Sequence, residues 1–366
     1  MTYLNRLKVT DVRNIRSATL LQFAQTNLIH GANGSGKTTL LECINMLGLG
    51  RSFRGLQMKP VINTEAEHCT VFGELTTVSG GISPVGVAKS KKGETKIKLD
   101  GELIKSVAPL AELLPLQLIS TDTHLLLSGS PKIRRQYIDW GLFHVEQEFL
   151  FHWRRLQQAL KQRNSLLRRG RIANIDMDPW ERQLSAASDI IHGFRSSYIG
   201  ELAVVFKETL KALYDEHEAI ELYYSCGWDT EKKYSQYLLD SRAKDAQRGF
   251  TQAGAHRADL KIKVGKLAAA DVLSRGQQKL LVAALRLAQG KLLQQQTGRT
   301  PIYLVDDLPA ELDKRHRARF VEALFDTGSQ VFITCVDVDD LLAAYADREK
   351  PAMFHVEHGR VTQQQT

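Results

Sequence analysis

Cysteine is scarce in this chain of 366 residues. The four present, Cys43, Cys69, Cys226 and Cys335, form no CxxC pair. That argues against a disulfide framework and a zinc ribbon, and predicts reduced, buried thiols. The histidines form no HExxH. No apolar run approaches the roughly 18 residues of a membrane span, so no membrane partner is expected. Charge arrives too early for a signal peptide in Met1-Thr2-Tyr3-Leu4-Asn5-Arg6-Leu7-Lys8, which predicts a cytoplasmic protein. Charge of one sign is only mildly in excess: 49 Lys+Arg face 41 Asp+Glu, a net +8. A surplus this small names no partner unless it is concentrated.

What remains is an ordinary composition, 43% hydrophobic and 25% charged, able to bury a sizeable core. The length suggests about two domains at roughly 150 residues each. The first thirty residues alternate apolar and polar in short runs, as strands do. A glycine-rich stretch leads into a helix from Lys37 to Leu47. Strands are expected again from Cys69 to Ile104, with Lys91-Lys92-Gly93 as a hairpin turn. After Ser128-Gly129-Ser130-Pro131 the pattern turns helical. Phe149, Trp153, Leu156, Leu160 and Leu167 form one seam, which Arg163 interrupts. Asp178 as N-cap and Pro179 as first residue announce a second helix, with Leu184, Ala187, Ile191, Phe194, Tyr198, Leu202 and Val205 as its seam. Two such helices joined by Gly170–Asn174 suggest a short antiparallel hairpin. Beyond Phe250 strands return, then a long helix from Gln277 to Gln295. Two short apolar runs, Ile302–Val305 and Val331–Thr334, read as buried parallel strands.

Gly31-Ala32-Asn33-Gly34-Ser35-Gly36-Lys37-Thr38 matches GxxxxGK[ST] in full, after an apolar strand and at a helix start. Glycines let backbone amides wrap phosphate oxygens, and the helix N-terminus adds partial positive charge. Lys37 would reach the β- and γ-phosphates of ATP, and the Thr38 hydroxyl would ligate Mg²⁺. Such a loop needs an acid at the end of a neighbouring strand. Ile302-Tyr303-Leu304-Val305-Asp306-Asp307 supplies two: Asp306 to hold Mg²⁺, Asp307 to orient or deprotonate the attacking water.

Leu273-Ser274-Arg275-Gly276-Gln277-Gln278 resembles the LSGGQ signature of ABC-type ATPases. In that family the signature of one subunit covers the γ-phosphate on its partner. Ser274, the Gly276 amide and Gln277 at a helix start would make this second anion site. Pro309-Ala310-Glu311-Leu312-Asp313 resembles the D-loop that follows the acidic strand. Thr334 stands where many relatives carry a switch histidine, and Asp307 where many have glutamate. A shorter base reaches less far, which predicts slow hydrolysis. Gln117 is the candidate Q-loop glutamine. The fold expected is α/β: an ABC-type P-loop ATPase head with an antiparallel β subdomain. The head would be split in sequence into residues 1–125 and 246–366, with a short helical, coiled-coil-like domain inserted at 126–245.

Further segments carry a closer resemblance. They are Asp11-Val12-Arg13-Asn14-Ile15, Gly50-Arg51-Ser52-Phe53-Arg54, Gly129-Ser130-Pro131-Lys132-Ile133-Arg134-Arg135 and Ala255-His256-Arg257-Ala258-Asp259-Leu260. With the P-loop, signature and paired aspartates, they make the whole chain resemble the RecF family, relatives of SMC-type ABC ATPases with a much reduced coiled-coil arm. One departure is Gly254-Ala255-His256, where relatives usually read Gly-Pro-His. The resemblance implies an ATP-dependent DNA-binding protein of recombinational repair and replication-fork maintenance. It would dimerise on ATP, act at single-strand gaps and single-strand/double-strand junctions, and help load the recombinase with RecO and RecR.

The charge surplus is concentrated. Residues 131–171 hold ten Lys/Arg and only three acids, a footprint suited to phosphates. Arg134, Arg135, Arg154, Arg155, Arg168 and Arg169 are the candidate DNA contacts; Lys89, Lys91 and Lys92 form a weaker second group. Two alternatives remain: a transporter's nucleotide-binding subunit, which the helical insertion does not suit, and an ABC-headed nuclease, which would need a further acidic metal site.

Overall fold

A computed structural model describes residues 2–55, 59–77, 79–169, 174–214, 220–307, 312–342 and 350–364. In chain order the first elements are β1 (Tyr3–Val12), β2 (Ile15–Leu21), β3 (Thr26–His30), α1 (Lys37–Leu49), β4 (His68–Thr76), β5 (Ile82–Ser90), β6 (Thr95–Leu99), β7 (Glu102–Ile104), α2 (Ala108–Leu113) and β8 (Leu116–Ile119). Then come α3 (Leu125–Ser128), α4 (Pro131–Val145), α5 (Phe149–Arg169), α6 (Asn174–Leu213), β9 (Ile220–Ser225), α7 (Tyr234–Arg248), β10 (Asp259–Val264), β11 (Leu267–Ala268) and α8 (Ala269–Val272). Last are α9 (Arg275–Thr297), β12 (Ile302–Val305), α10 (Lys314–Phe325), β13 (Val331–Cys335), α11 (Asp339–Leu342), β14 (Ala352–Glu357) and β15 (Arg360–Gln364).

The chain divides into two compact units, one of residues 1–123, 209–215 and 279–366, the other of 124–208 and 216–278. This differs from the expected segments chiefly at 246–278. That stretch packs in the second unit because β10 pairs antiparallel with β9 along its whole length.

The first unit holds two six-stranded sheets. One is antiparallel, in the order β2-β1-β4-β5-β6-β7; the other runs β15-β14-β3-β13-β12-β8 and is parallel except for β15. In β1, Leu4 and Leu7 are three residues apart, so strict alternation would place them on opposite faces. A register shift between Leu4 and Arg6 turns both into the core, as a bulge does. Helix α1 has eleven of its thirteen residues buried, so it needs no polar face. Strands β12 and β13 are buried at every position, as central parallel strands are. The carboxyl ends of β3, β12 and β13 therefore deliver the phosphate loop, Asp306-Asp307 and Thr334 to one sheet edge, where open α/β sheets bind ligands.

In the second unit α5 and α6 run antiparallel, shown by Arg163 pairing with Glu181 and the His152 ring meeting Phe194. The interrupted seam has a cause: Arg163 is fully buried and also reaches Asp245 on α7 at 2.7 Å and the Thr251 hydroxyl. Because α5 packs on α7 as well, the hairpin is a three-helix arrangement rather than a free arm. Its expected turn at 170–173 lies outside the described residues. The second helix also begins earlier than expected, at Asn174, so Pro179 sits inside it. There it lacks only one N–H close to the helix start, where proline is better tolerated than in the middle.

Candidate active site

The phosphate loop leaves β3 at His30 and turns into α1 at Lys37. Lys37 is 4% exposed, and its amine donates to the carbonyls of Gly31 at 2.8 Å and Ala32 at 3.1 Å. The Ser35 hydroxyl is buried without a hydrogen-bond partner among the described residues. At the end of β12, Asp306 Oδ1 accepts from the Thr38 hydroxyl at 2.9 Å. Thr334, at the end of β13, ties both acids together. Its Oγ1 lies 2.9 Å from Asp306 Oδ1 and 3.3 Å from Asp307 Oδ1, and accepts from the Asp307 amide at 2.9 Å. Burial holds the Asp306 carboxyl above the ordinary carboxylate range; hydrogen bonds from Thr38 and Thr334 oppose this, and the Asp307 charge reinforces it. Asp307 adopts φ +50°, a left-handed conformation that costs a non-glycine residue of order 1–3 kcal/mol and clusters at functional sites.

Lys37, Thr38 and Asp307 border a cavity of about 290 Å³, lined also by Gly34 and Gly36 of the loop and by Arg13, Asn14 and Arg54. Asn14, in the β1–β2 turn, donates to Ser35 O at 2.8 Å, and Arg13 is clamped by both carboxylate oxygens of buried Glu42. The β14–β15 turn supports the loop from another side, with the Gly359 amide donating to Ser35 O at 2.9 Å. Gly359 has φ +76°, and a Cβ there would lie 2.1 Å from Asn14 O, so only glycine fits. A lysine amine resting on loop carbonyls, an orphaned serine hydroxyl and a hydroxyl–carboxylate pair of hard oxygens together fit a nucleoside triphosphate with Mg²⁺.

The cavity lining lies in the first unit, whereas Ser274, Gly276 and Gln277 belong to the second. There Ser274 and Gln277 form a reciprocal capping box: the Ser274 amide donates to Gln277 Oε1 at 2.8 Å, and the Gln277 amide to Ser274 Oγ at 3.3 Å. The same residues that would meet a phosphate thus first terminate α9. Of the expected D-loop, 309–311 lie outside the described residues; Asp313 caps α10 by accepting from the His316 amide. Gln117 does not stand at a strand end. It pairs across from Tyr303 in mid-β8, fully buried, donating to Gln289 and accepting from Arg286, so it is no Q-loop residue.

The candidate DNA contacts separate by exposure. Arg134 makes a bidentate pair with Asp259 and donates to Gly129 O, and Arg135 donates to Ala258 O. Both hold partners within the fold, unlike the exposed cations of α5. Arg163, counted in the charge window, is buried. Lys89 is buried too, and Lys91 pairs with Glu67. Arg154, Arg155, Arg168 and Arg169 are exposed on α5, with Lys161 between them. The helix contains no acid from Phe149 to Arg169. Arg154, Lys161 and Arg168 recur every seven residues, so they share one face over about 21 Å.

Comparison with known proteins decides the family. The model for the RecF/RecN/SMC N terminal domain matches residues 3–361. A protein of Pseudomonas syringae pv. syringae (strain B728a), named "DNA replication and repair protein RecF", is 51% identical over 360 residues, 98% of each chain. The chain belongs to the RecF family. A second RecF, from Pseudomonas fluorescens (strain SBW25), is 50% identical over the same share. A solved structure of "the recombination mediator protein RecF-ATP in RecFOR pathway" superposes with a TM-score of 0.87 at 25% identity, covering all of this chain and 98% of that one. The Smc head bound to the C-winged helix domain of ScpA, at TM-score 0.59 and 16% identity over 99% and 97% of the chains, shares the fold. The architecture is thus the α/β ABC ATPase head of the RecF family.

Arg13, Asn14 and Arg54 line the cavity of this RecF-family chain although no local motif assigns them to it. Their proximity to the loop is tertiary. Gly359 carried no signal beyond its place in a turn, and Thr334 was legible only by position.

Proposed function

We propose that this chain is an ATP-dependent DNA-binding protein of recombinational repair, with weak ATPase activity, working in the cytoplasm. The observation that carries the reading is the chain of contacts from Thr38 through Asp306 and Thr334 to Asp307 at the mouth of the phosphate loop. ATP with Mg²⁺ supplies the phosphoanhydride bond to be cleaved. Lys37 exchanges its two loop carbonyls for phosphate oxygens, while the amides from Gly31 to Thr38, Asn33 included, close around them. Thr38 and Asp306 would hold the cation. Asp307 orients a water and takes its proton, and its short side chain keeps turnover slow. Thr334 has one hydroxyl proton to give and accepts the Asp307 amide, so it fixes the position of the base.

Ser274, Gly276 and Gln277 complete the site of a second copy, so ATP drives dimerisation. The exposed cations of α5 bind DNA phosphates at gaps and single-strand/double-strand junctions, and the dimer assists recombinase loading with RecO and RecR. In this reading residues 1–125 and 246–366 act as the ATPase head and 126–245 as its helical insert, with 246–278 serving the head while packing in the second unit. The test is binding to single-stranded, duplex and gapped DNA with and without ATP. ATP should strengthen binding to gapped DNA, Lys37→Ala should abolish that gain, and Ser274→Arg should abolish ATP-dependent dimers in sedimentation. Binding indifferent to ATP, with dimers unaffected by Ser274→Arg, would refute the reading.

A further inference from the structure

The segment Gly254–Asp259 has no part in the nucleotide site, yet the fold restrains it from every side. Gly254 has φ +129°, and a Cβ there would lie 2.1 Å from the Tyr234 hydroxyl. Its amide donates to Gly227 O, and the Arg257 amide donates to Gly254 O at 2.7 Å, closing the turn. Three further arginines grip it. Arg195, 2% exposed, donates to Ala255 O at 2.6 Å; Arg135 donates to Ala258 O at 2.7 Å; Arg134 holds the Asp259 carboxylate through two nitrogens. His256 bonds back to Thr251 O, and burial pushes its ring down to about 4, so it adds no charge at neutral pH.

What this clamp presents is one side chain. Arg257 is exposed, its guanidinium 5.5 Å from the ring centre of Phe250, which is 38% exposed. No acid pairs with it among the described residues. Desolvating guanidinium groups to hold a six-residue turn is expensive, and a rigid turn is what a positioned contact requires. The turn is also continuous with α5. Asn164 accepts from the Thr251 amide and hydroxyl, and a Cβ at Gly249 would lie 3.4 Å from the Arg168 side chain. Phe250 and Arg257 therefore extend the α5 stripe beyond the helix. Around the turn, four guanidinium groups (Arg134, Arg135, Arg195 and Arg257) face two carboxylates, Asp139 and Asp259, so the local field is positive.

We infer that Arg257 is a preorganised contact for a nucleic-acid phosphate and that Phe250 beside it offers a face on which an unpaired base stacks. This rests on the DNA-binding reading and assigns its single-strand end to the Phe250–Arg257 pair.

The full chain is titrated against labelled single-stranded, duplex and gapped oligonucleotides by fluorescence anisotropy between 50 and 200 mM salt, ranges over which phosphate contacts are resolved. Arg257→Gln should weaken binding to gapped DNA roughly three- to tenfold and lower the salt slope by about one. Arg257→Lys should restore the slope, and Phe250→Ala should weaken binding to single-stranded and gapped DNA but not to duplex. The Arg257→Gln unfolding midpoint should match the parent, since the side chain is exposed; a lowered midpoint would make the residue structural and overturn the inference. A fourfold variant reversing charge at Arg154, Arg155, Arg168 and Arg169 separates the two readings. If it loses binding while Arg257→Gln binds like the parent, this inference alone fails; if both bind like the parent, the DNA reading fails with it.

Discussion

Replacing Thr334 by valine removes one hydroxyl and keeps the shape of a fully buried side chain. Three contacts go with it: the one to Asp306 Oδ1, the longer one to Asp307 Oδ1, and the acceptor of the Asp307 amide. A hydrogen bond to a charged group contributes about 1.5–3 kcal/mol, which corresponds to roughly ten- to a hundredfold in the step it supports. Turnover should therefore fall within that range, while ATP binding, carried by the loop amides and Lys37, should change little. The direction of the pH effect also follows. Asp306 already sits above the ordinary carboxylate range, and the Thr334 bond is one of the forces holding it down. Without that bond the ionised form appears only at higher pH, so the acidic limb of the ATPase profile should move upward. Thr334→Ser keeps the hydroxyl and should recover the limb, at a cost of about 1 kcal/mol in stability for the missing methyl. Steady-state hydrolysis across pH 5–9 with a parallel nucleotide-binding titration reads both effects. A valine variant with parental turnover and an unmoved limb would refute the role assigned to the hydroxyl.

Asp306→Asn should stabilise the nucleotide-free protein at neutral pH by about 1 kcal/mol, because it removes a desolvated charge. The sign follows from the raised carboxyl: the gain is present above the folded-state value and fades as acid protonates the parent, which unfolding midpoints at several pH values would show. Arg163→Met should destabilise by about 3 kcal/mol or more in urea, since Asp245 would stay buried without its cation; a loss under 1 kcal/mol would show that the site relaxes. Gly359→Ala should lower both stability and nucleotide affinity, because the displaced turn withdraws its amide from Ser35 O; a calorimetric titration matching the parent would refute the bracing.

Much of the proposed nucleotide site was readable from local pattern. Gly31–Thr38 and Ile302–Asp307 are contiguous runs whose spacing is itself the chemistry, and each lies where a strand ends. The cationic residues were readable only as a count. Arg134 and Arg154 are alike on paper, yet one is held by Asp259 from 125 positions away and the other is exposed. Gln117 failed for the same reason: Gln289 and Arg286, distant in sequence, occupy its side chain. Arg163 stood out as a break in a seam, but its partners Glu181 and Asp245 come from two other helices.

The phosphate loop, the paired aspartates, the signature-like segment and the acid-free helix are each a short stretch in which neighbouring residues make the feature, so local pattern carries them. Thr334 joining the two acids, Asn14 and Gly359 bracing the loop, and three arginines holding the turn that bears Arg257 are instead products of the folded chain. Those arrangements arise where strands and helices far apart in the chain end at one place, and a one-dimensional pattern carries no record of which ends meet.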